Sequence, residues 1–91
     1  MSYKIRYTPE AVRGLTKLEK NEPKAFAKVL RFIEDLKEHP KSGLGHPEPL
    51  KGNPEGRWSR EITKKYRMVY QIFEEEVVVL VLTAYGHYGD K

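Results

Sequence analysis

The pattern of apolar and polar positions divides the chain into extended and helical segments. Apolar and basic residues alternate from Tyr3 to Tyr7, which is typical of a short half-buried strand. Thr8-Pro9-Glu10 then predicts a helix start, because a threonine hydroxyl caps free N–H groups and proline fits the first helical position. The glutamate adds a negative charge at the positive end of the helix dipole. The chain therefore begins with a strand followed by a helix.

A second helix is predicted over roughly residues 22 to 38. Asn21 and Pro23 repeat the start signal, and His39-Pro40 ends the segment because a residue before proline disfavours the helical conformation. Between these limits, apolar residues recur at steps of three and four positions, as one face of an amphipathic helix requires. They are Phe26, Val29, Leu30, Ile33 and Leu36.

The second half of the chain predicts a loop and three strands. Residues 42–56 contain four glycines and three prolines, which is typical of an ordered loop. The strand candidates are Arg57–Thr63, Tyr66–Phe73 and Val77–Tyr85, and the acidic run from Glu74 to Glu76 is interpreted as a solvated turn. The order β-α-α-β-β-β indicates one α+β domain over residues 1–91, with two N-terminal helices packed on a mostly antiparallel four-stranded sheet.

The strand candidate that precedes the acidic turn has two different faces. Tyr66, Met68, Tyr70 and Ile72 point one way and suit a contact with the helices, because side chains alternate along a strand. Arg67 then lies in mid-strand on the uncovered face. A fixed cation at that position indicates a functional role.

Composition narrows the class of protein. The chain has 91 residues, no cysteine, and no apolar run of the length that a membrane span or a signal peptide needs. Disulfides and thiolate chemistry are therefore excluded, and a cytoplasmic protein without a membrane partner is expected. The formal net charge is +4 and the isoelectric point is near 9.3, which favours a polyanionic partner.

The positive excess is confined to one segment. From Lys51 to Arg67 there are six cations and two anions, whereas the rest of the chain carries equal numbers of each. Aromatic residues are interleaved with these cations, as in surfaces that bind phosphates and stack on bases, although Trp58 and Tyr70, each taken alone, fit a protein core better. The cations predicted to bind RNA phosphates are Lys51, Arg57, Arg60, Lys64 and Lys65.

The motifs leave few kinds of catalysis. His39, His46 and His87 do not have the spacing of a metal site, and no nucleotide-binding loop or serine-hydrolase motif occurs, so no metal and no cofactor is predicted. A carboxylate, a histidine and cations remain, and these suffice to cleave RNA. A base takes the proton of the ribose 2′-hydroxyl, a cation stabilises the phosphorane, and an acid protonates the leaving oxygen.

Four residues are candidates for these roles. Glu48 is the candidate base, because prolines on both sides restrict its backbone. His87, near the end of the last strand, is the candidate acid, since imidazole titrates near neutrality. Arg67 and Lys51 are candidate phosphate contacts, and arginine suits a two-point contact with phosphate. Each also has an ordinary alternative as an exposed, solubilising side chain.

Several strings of residues resemble one known family. They are Gly45-His46-Pro47-Glu48-Pro49-Leu50-Lys51, Gly56-Arg57-Trp58-Ser59-Arg60, Tyr66-Arg67-Met68-Val69-Tyr70 and the terminal His87-Tyr88. In this order they resemble the YoeB/Txe branch of the RelE toxin superfamily over nearly the whole chain. The resemblance implies the RelE-like microbial RNase fold and a toxin of a type II toxin–antitoxin system that enters the ribosomal A site and cuts the mRNA there.

The resemblance also implies roles for individual residues. Glu48 matches the family's general base, His87 its general acid, and Arg67 the arginine that stabilises transition-state charge. Tyr88 matches a terminal tyrosine that orients or stacks on the substrate, and Lys51 a lysine near the scissile phosphate. A metal-free endoribonuclease reaction and a cognate antitoxin of the YefM/Axe type are implied as well. Whether the free toxin forms a homodimer stays open.

The match departs from the family pattern at two places. Glu61 stands where some relatives carry a second arginine, so one phosphate contact is absent or comes from Arg60. Residues Gly89 to Lys91 extend beyond the tyrosine that ends several relatives.

Two alternative functions remain. One is a gyrase poison of the ParE type, which shares the fold but generally lacks the glutamate, arginine and histidine. The other is a basic ribosome- or RNA-binding module without catalysis.

Overall fold

The structure is a computed structural model that describes residues 2–50, 56–76 and 78–87, the last range by its backbone. Two helices follow the first strand, and the remaining strands follow the helices. No helix in the described ranges is long and apolar enough to cross a membrane. In chain order the elements are β1 (Lys4–Tyr7), α1 (Pro9–Asn21), α2 (Pro23–Leu36), β2 (Glu48–Pro49), β3 (Arg57–Glu61), β4 (Tyr66–Phe73) and β5 (Val78–His87).

The strands form one sheet in the order β1-β5-β4-β3-β2. β1 pairs with β5 in parallel, and the other neighbouring pairs are antiparallel. Two helices with a mostly antiparallel sheet confirm the predicted α+β class. Within the described ranges the sheet has five strands rather than four, because Glu48 and Pro49 pair with β3 and form a short edge strand inside the predicted loop.

Both helices begin close to the predicted positions. The Thr8 hydroxyl oxygen accepts a hydrogen bond from the Ala11 N–H at 3.0 Å, which confirms Thr8 as the cap of α1. The start of α2 differs from the prediction, because Asn21 is the last residue of α1 and Glu22 is the N-cap of α2. Glu22 makes no side-chain capping bond, so the local start signal for α2 is the fixed φ of Pro23.

The core lies between the helices and one face of the sheet. Along β4 every second residue is buried, namely Tyr66, Met68, Tyr70 and Ile72. These residues belong to one apolar cluster with the buried residues of both helices. The predicted helix-facing side of β4 is therefore confirmed.

The apolar stripe of α2 packs against this side of the sheet. Val29 and Leu36 are fully buried, and Ile33 is nearly so. Leu30 departs from the prediction, since it remains 48% exposed. It follows Val29 directly and is therefore turned by about 100° around the helix axis, to the margin of the stripe.

Candidate active site and RNA-binding face

We call the side of the sheet that points away from the helices the open face. It is formed by the residues that alternate with the buried ones along β4, together with their partners on β3 and β2. On β4 these alternate residues are half-buried, in contrast to their buried neighbours. The open face consists of Glu48, Arg57, Ser59, Glu61, Arg67, Val69, Gln71 and Phe73.

Glu48 lies at the rim of the open face on the edge strand β2. It pairs with Ser59 of β3, and Ser59 pairs with Val69 of β4, so the three residues form a row across the sheet. Glu48 is exposed, whereas Ser59 is buried within the row. Prolines on both sides limit the backbone freedom of Glu48. The row therefore ends in an exposed carboxylate on a restricted backbone.

Arg67 occupies the next row of the open face. It pairs with Glu61 of β3 and with Gly86 of β5, and it is half-buried. Two strand spacings of about 4.8 Å and two residues of about 3.3 Å each place its Cα about 12 Å from that of Glu48. Two long side chains separated in this way can approach a phosphodiester group from opposite sides.

The C-terminal end of β5 adjoins Arg67. The backbone of His87 pairs with Tyr66, the residue that precedes Arg67. The strand register therefore brings the backbone of the predicted acid beside the strand that carries the predicted cation. The side chain of His87, and the whole of Lys51 and Tyr88, lie outside the described residues, so their roles stay predictions.

Of the four predicted phosphate-binding cations that the structure describes, three reach the surface. Lys64 and Lys65 are exposed in the connection between β3 and β4, and the Lys65 ammonium lies 5.3 Å from the centre of the Tyr66 ring. Arg57 is half-buried on the open face, where its Nε donates to Gln71 Oε1 at 3.3 Å. These positions are accessible to a polyanion.

Arg60 is not on this surface, and the prediction that it binds RNA phosphate is wrong. Its side chain is fully buried on the helix-facing side of β3, opposite Met68. Its Nη1 donates to Asp35 Oδ2 at 2.7 Å, and its Nε donates to the Tyr70 hydroxyl at 3.1 Å. A buried guanidinium with an internal carboxylate partner does not contact an external phosphate, so Arg60 also does not replace the arginine that some relatives carry at the position of Glu61.

The two partners of Arg60 have shifted pKa values. Burial raises the pKa of Asp35, but hydrogen bonds from Arg60 and from the Leu44 N–H outweigh burial, and the net pKa lies below the ordinary value. Burial raises the pKa of Tyr70 against the opposing effect of Arg60. The phenol therefore stays protonated at neutral pH and donates to the Pro40 carbonyl at 2.7 Å.

The aromatic residues near the basic segment contribute more to the core than to the surface. Tyr66 and Tyr70 are buried, and Trp58 is half-buried against the core cluster. The core alternative is therefore correct for Tyr70. Stacking on bases by these three residues has little support.

A cleft of about 450 Å³ lies at the opposite end of β4 from Arg67. Its walls include Trp58, Ile72 and the exposed acidic turn from Glu74 to Glu76. Carboxylates repel phosphate, so this cleft does not suit an RNA backbone. Within the described part of the chain, no group of three or more histidine, cysteine, aspartate or glutamate side chains is placed to hold a metal ion.

Solved toxin structures share this fold. The YoeB/ParE toxin from Agrobacterium tumefaciens superposes with a TM-score of 0.85 at 32% identity, over 93% of this chain and 99% of that chain. The YoeB dimer from Staphylococcus aureus superposes with a TM-score of 0.83 at 25% identity, over 97% of this chain and 100% of that chain. The Staphylococcus aureus YoeB has also been solved in complex with YefM. The fold is thus that of a toxin of the YoeB and RelE class.

Sequence comparison identifies the family within this class. Toxin YoeB from Mycobacterium bovis is 33% identical over 76 residues, which are 84% of this chain and 89% of that protein. The family model for the YoeB-like toxin of bacterial type II toxin–antitoxin systems matches residues 7–88. The chain belongs to the YoeB-like toxin family, which confirms the resemblance seen in the sequence motifs.

Proposed function

We propose that the chain is an endoribonuclease that cuts mRNA in the ribosomal A site and thereby inhibits translation in the cytoplasm. Family membership supports a toxin of this kind. The observation that carries the proposal is the placement of Glu48 and Arg67 in adjacent rows of the open face, about 12 Å apart between Cα atoms. This spacing suits a base and a cation on either side of one phosphodiester.

The proposed reaction uses the substrate's own hydroxyl group as nucleophile. Glu48 takes the proton of the ribose 2′-hydroxyl, and the resulting oxygen attacks the adjacent phosphorus. The bond from phosphorus to the 5′ oxygen breaks as His87 protonates that oxygen. The products are a 2′,3′-cyclic phosphate and a free 5′-hydroxyl, so protons and bonds balance without a metal or a cofactor.

The cations stabilise the negative charge that develops on the phosphate oxygens in the transition state. Arg67 donates to the non-bridging oxygens, where negative charge grows in the transition state. Lys51 supplies a second positive charge at the scissile phosphate, and Tyr88 orients the nucleotide. Lys64 and Lys65 lie at the exposed tip of the β3–β4 connection, where they bind the RNA backbone without reading its sequence.

Complexes of related toxins support an antitoxin partner. The Staphylococcus aureus YoeB was solved both with YefM and as a dimer. We propose that this chain binds a cognate antitoxin of the YefM type, whose acidic C-terminal segment competes with RNA for the cations of the open face. Free toxin is proposed to form a homodimer of the same kind.

Primer extension on a defined mRNA tests the proposed function. The purified chain is added to the mRNA with and without translating ribosomes, and the 5′ ends of the fragments are mapped. Cleavage inside the codon in the A site, only with ribosomes present, is the expected result. Glu48→Gln and His87→Gln are expected to lose cleavage, whereas Glu19→Gln, an exposed glutamate on α1, is the matched control and keeps it.

The same assay separates the alternative functions. Translation inhibited by the Glu48→Gln and His87→Gln proteins as strongly as by the original chain would indicate a binding module without catalysis. Intact mRNA together with relaxed or broken plasmid DNA would indicate a gyrase poison. Either result would overturn the nuclease proposal.

A further inference from the structure

The segment that leads into Glu48 is held from inside the protein by one arginine. We propose that Arg60 is a positioning residue for catalysis, which fixes residues 39–45 and through them places the Glu48 carboxylate. The proposal rests on the proposed role of Glu48 as the base. It replaces the phosphate contact that the sequence suggested for Arg60 with a role on the opposite side of the sheet.

Arg60 is bound by acceptors from three different parts of the chain. Its Nη1 donates to Asp35 Oδ2 of α2 at 2.7 Å, and its Nε donates to the Tyr70 hydroxyl of β4 at 3.1 Å. Its Nη2 donates to the carbonyl oxygens of His39 and Ser42, the latter at 2.9 Å. The guanidinium therefore joins the helix, the sheet and the loop after α2 at a single buried point.

Other bonds from the same elements hold the rest of this loop. Tyr70 donates to the Pro40 carbonyl at 2.7 Å, and Asp35 accepts from the Leu44 N–H at 3.2 Å. The Gly45 carbonyl accepts from the N–H of residue 61 at 2.8 Å. Arg60 donates hydrogen bonds to both Tyr70 and Asp35. The guanidinium therefore also fixes the two side chains that hold the rest of the loop.

The loop needs this support because its backbone is unusual. Gly43, Gly45 and His46 all have positive φ, and His46 is not a glycine, so its φ of 52° is a sparsely populated conformation. A Cβ on Gly45 would lie 2.5 Å from the Phe32 ring, so the loop is pressed closely on α2. A segment with this backbone keeps its shape only when its surroundings determine it.

The held segment ends at Gly45, three positions before the proposed base. Only His46 and Pro47 separate Gly45 from Glu48. β2 consists of two residues, so its pairing with β3 gives little independent support. Glu48 pairs with Ser59, which precedes Arg60 in β3. The side chains of Glu48 and Arg60 therefore lie on opposite faces of the sheet. Arg60 thus acts on Glu48 through the backbone and does not reach the substrate.

A lysine at position 60 keeps the charge but not the geometry. The guanidinium is planar and donates in several fixed directions, whereas an ammonium is a single compact donor group. Lysine can still pair with Asp35 but cannot also bind the Tyr70 hydroxyl and two carbonyl oxygens in the same arrangement. Arg60→Lys therefore loosens the loop without leaving the Asp35 carboxylate unpaired.

A double-mutant cycle with Glu48 tests the proposal. Single-turnover cleavage of a defined mRNA on programmed ribosomes is measured for Arg60→Lys in the original chain and in the Glu48→Gln chain. Displacing a catalytic group by about 1 Å can cost about 100-fold, so Arg60→Lys is expected to slow cleavage by about 10- to 100-fold in the original chain. In the Glu48→Gln chain it is expected to change the rate by less than about threefold, because no carboxylate remains to be positioned.

The controls separate positioning from folding and from RNA binding. Circular dichroism establishes that each variant is folded at the assay temperature, and ribosome binding is expected to be unchanged. Tyr70→Phe, which removes the bond to Pro40, is expected to show the same dependence on Glu48 with a smaller loss, and it takes the place of Arg60→Lys if that variant does not fold. Arg31→Lys, an exposed arginine on α2, is the matched control and is expected to have no effect in either chain.

The outcomes distinguish this inference from the proposed function. Equal losses from Arg60→Lys with and without the Glu48 carboxylate, or a loss of ribosome binding, would overturn the positioning role while leaving the nuclease intact. Full activity of Glu48→Gln alone would instead overturn the base assignment and the inference with it. A loss confined to the chain that retains Glu48 supports both.

Discussion

Both faces of strands β3 and β4 carry arginine, but the two faces place it in different surroundings. On the helix-facing side, Arg60 is fully buried and its guanidinium is bound by Asp35, Tyr70 and backbone carbonyls. On the open face, Arg67 and Arg57 are half-buried at the surface of the sheet. One face binds the loop after α2 through an arginine, and the other leaves its arginines partly accessible, as the proposed RNA contact requires.

This difference shows that the charge of a segment does not define its binding surface. Because Arg60 is buried, it does not add to the positive charge of the surface formed by this segment, whereas Lys64 and Lys65 are exposed and do. We therefore expect substitutions on the helix-facing side to change the free energy of unfolding, and those at Arg60 and Tyr70 to change cleavage as well through the loop that leads to Glu48. We expect substitutions on the open face and at the exposed turn to change cleavage or RNA binding. The following variants test this contrast, in order of expected effect on stability.

Arg60→Met is expected to have the largest effect on stability. It removes one partner of a largely buried ion pair, and breaking such a pair costs about 3–5 kcal/mol. The free energy of unfolding from urea titration is the measurement. A loss below about 1 kcal/mol would show that water or another cation compensates Asp35, and would contradict the role of Arg60 in holding the helix, the sheet and the loop together.

Asp35 is expected to make stability depend on acid pH. Its pKa is lower in the folded protein than the ordinary value of about 3.9, so the folded state binds protons less readily than the unfolded state. The resulting stabilisation is complete above the ordinary pKa and is lost as the pH falls through the folded pKa. Unfolding measured from pH 5 downward, with about half-unit steps, is expected to show a steeper loss for the original chain than for Asp35→Asn. Identical slopes would contradict this.

Tyr70→Phe is expected to have an intermediate effect. It deletes the hydroxyl that donates to the Pro40 carbonyl and accepts from Arg60. A buried hydrogen bond of this kind is worth about 1–2 kcal/mol, including the group left without its partner. Urea unfolding is again the measurement, and an unchanged midpoint would show that this hydroxyl does not hold the loop.

Lys64→Ala is expected to leave stability within about 0.5 kcal/mol, because its side chain is exposed. Its effect is expected on ribosome association, where one lost phosphate contact reduces the slope of log affinity against log salt by about 0.7–0.9. Lys24→Ala, an exposed lysine of α2, is the matched control. If the slope of log affinity against log salt is the same for both variants, the exposed turn does not contact RNA phosphates.

The sequence predicted most of the fold because the main patterns are strong. The Thr8 cap, the apolar stripe of α2 and the alternation along β4 all give signals that the structure follows. The edge strand β2 was missed because two residues, Glu48 and Pro49, are too few to show any period. Its existence depends on tertiary pairing with β3.

The prediction for Arg60 was wrong because the face on which its side chain lies is fixed by the pairing of β3 with β4. Arg60 pairs with Met68, a residue that the alternation of β4 already placed on the helix-facing side. Extending that alternation across the hairpin would have indicated that Arg60 is internal. Nothing in the sequence indicated its partner, since Asp35 lies 25 residues earlier on the polar side of α2 and meets Arg60 through the tertiary fold.

We propose that the open face performs the chemistry while the helix-facing side holds it in place. The most direct measurement is the single-turnover cleavage rate of Glu48→Gln on mRNA-programmed ribosomes, taken together with its free energy of unfolding. A general base contributes about 100- to 10,000-fold, so we predict a loss of at least about 100-fold with stability unchanged within about 0.5 kcal/mol. A rate within a few fold of the original chain, or a loss explained by unfolding, would contradict the claim.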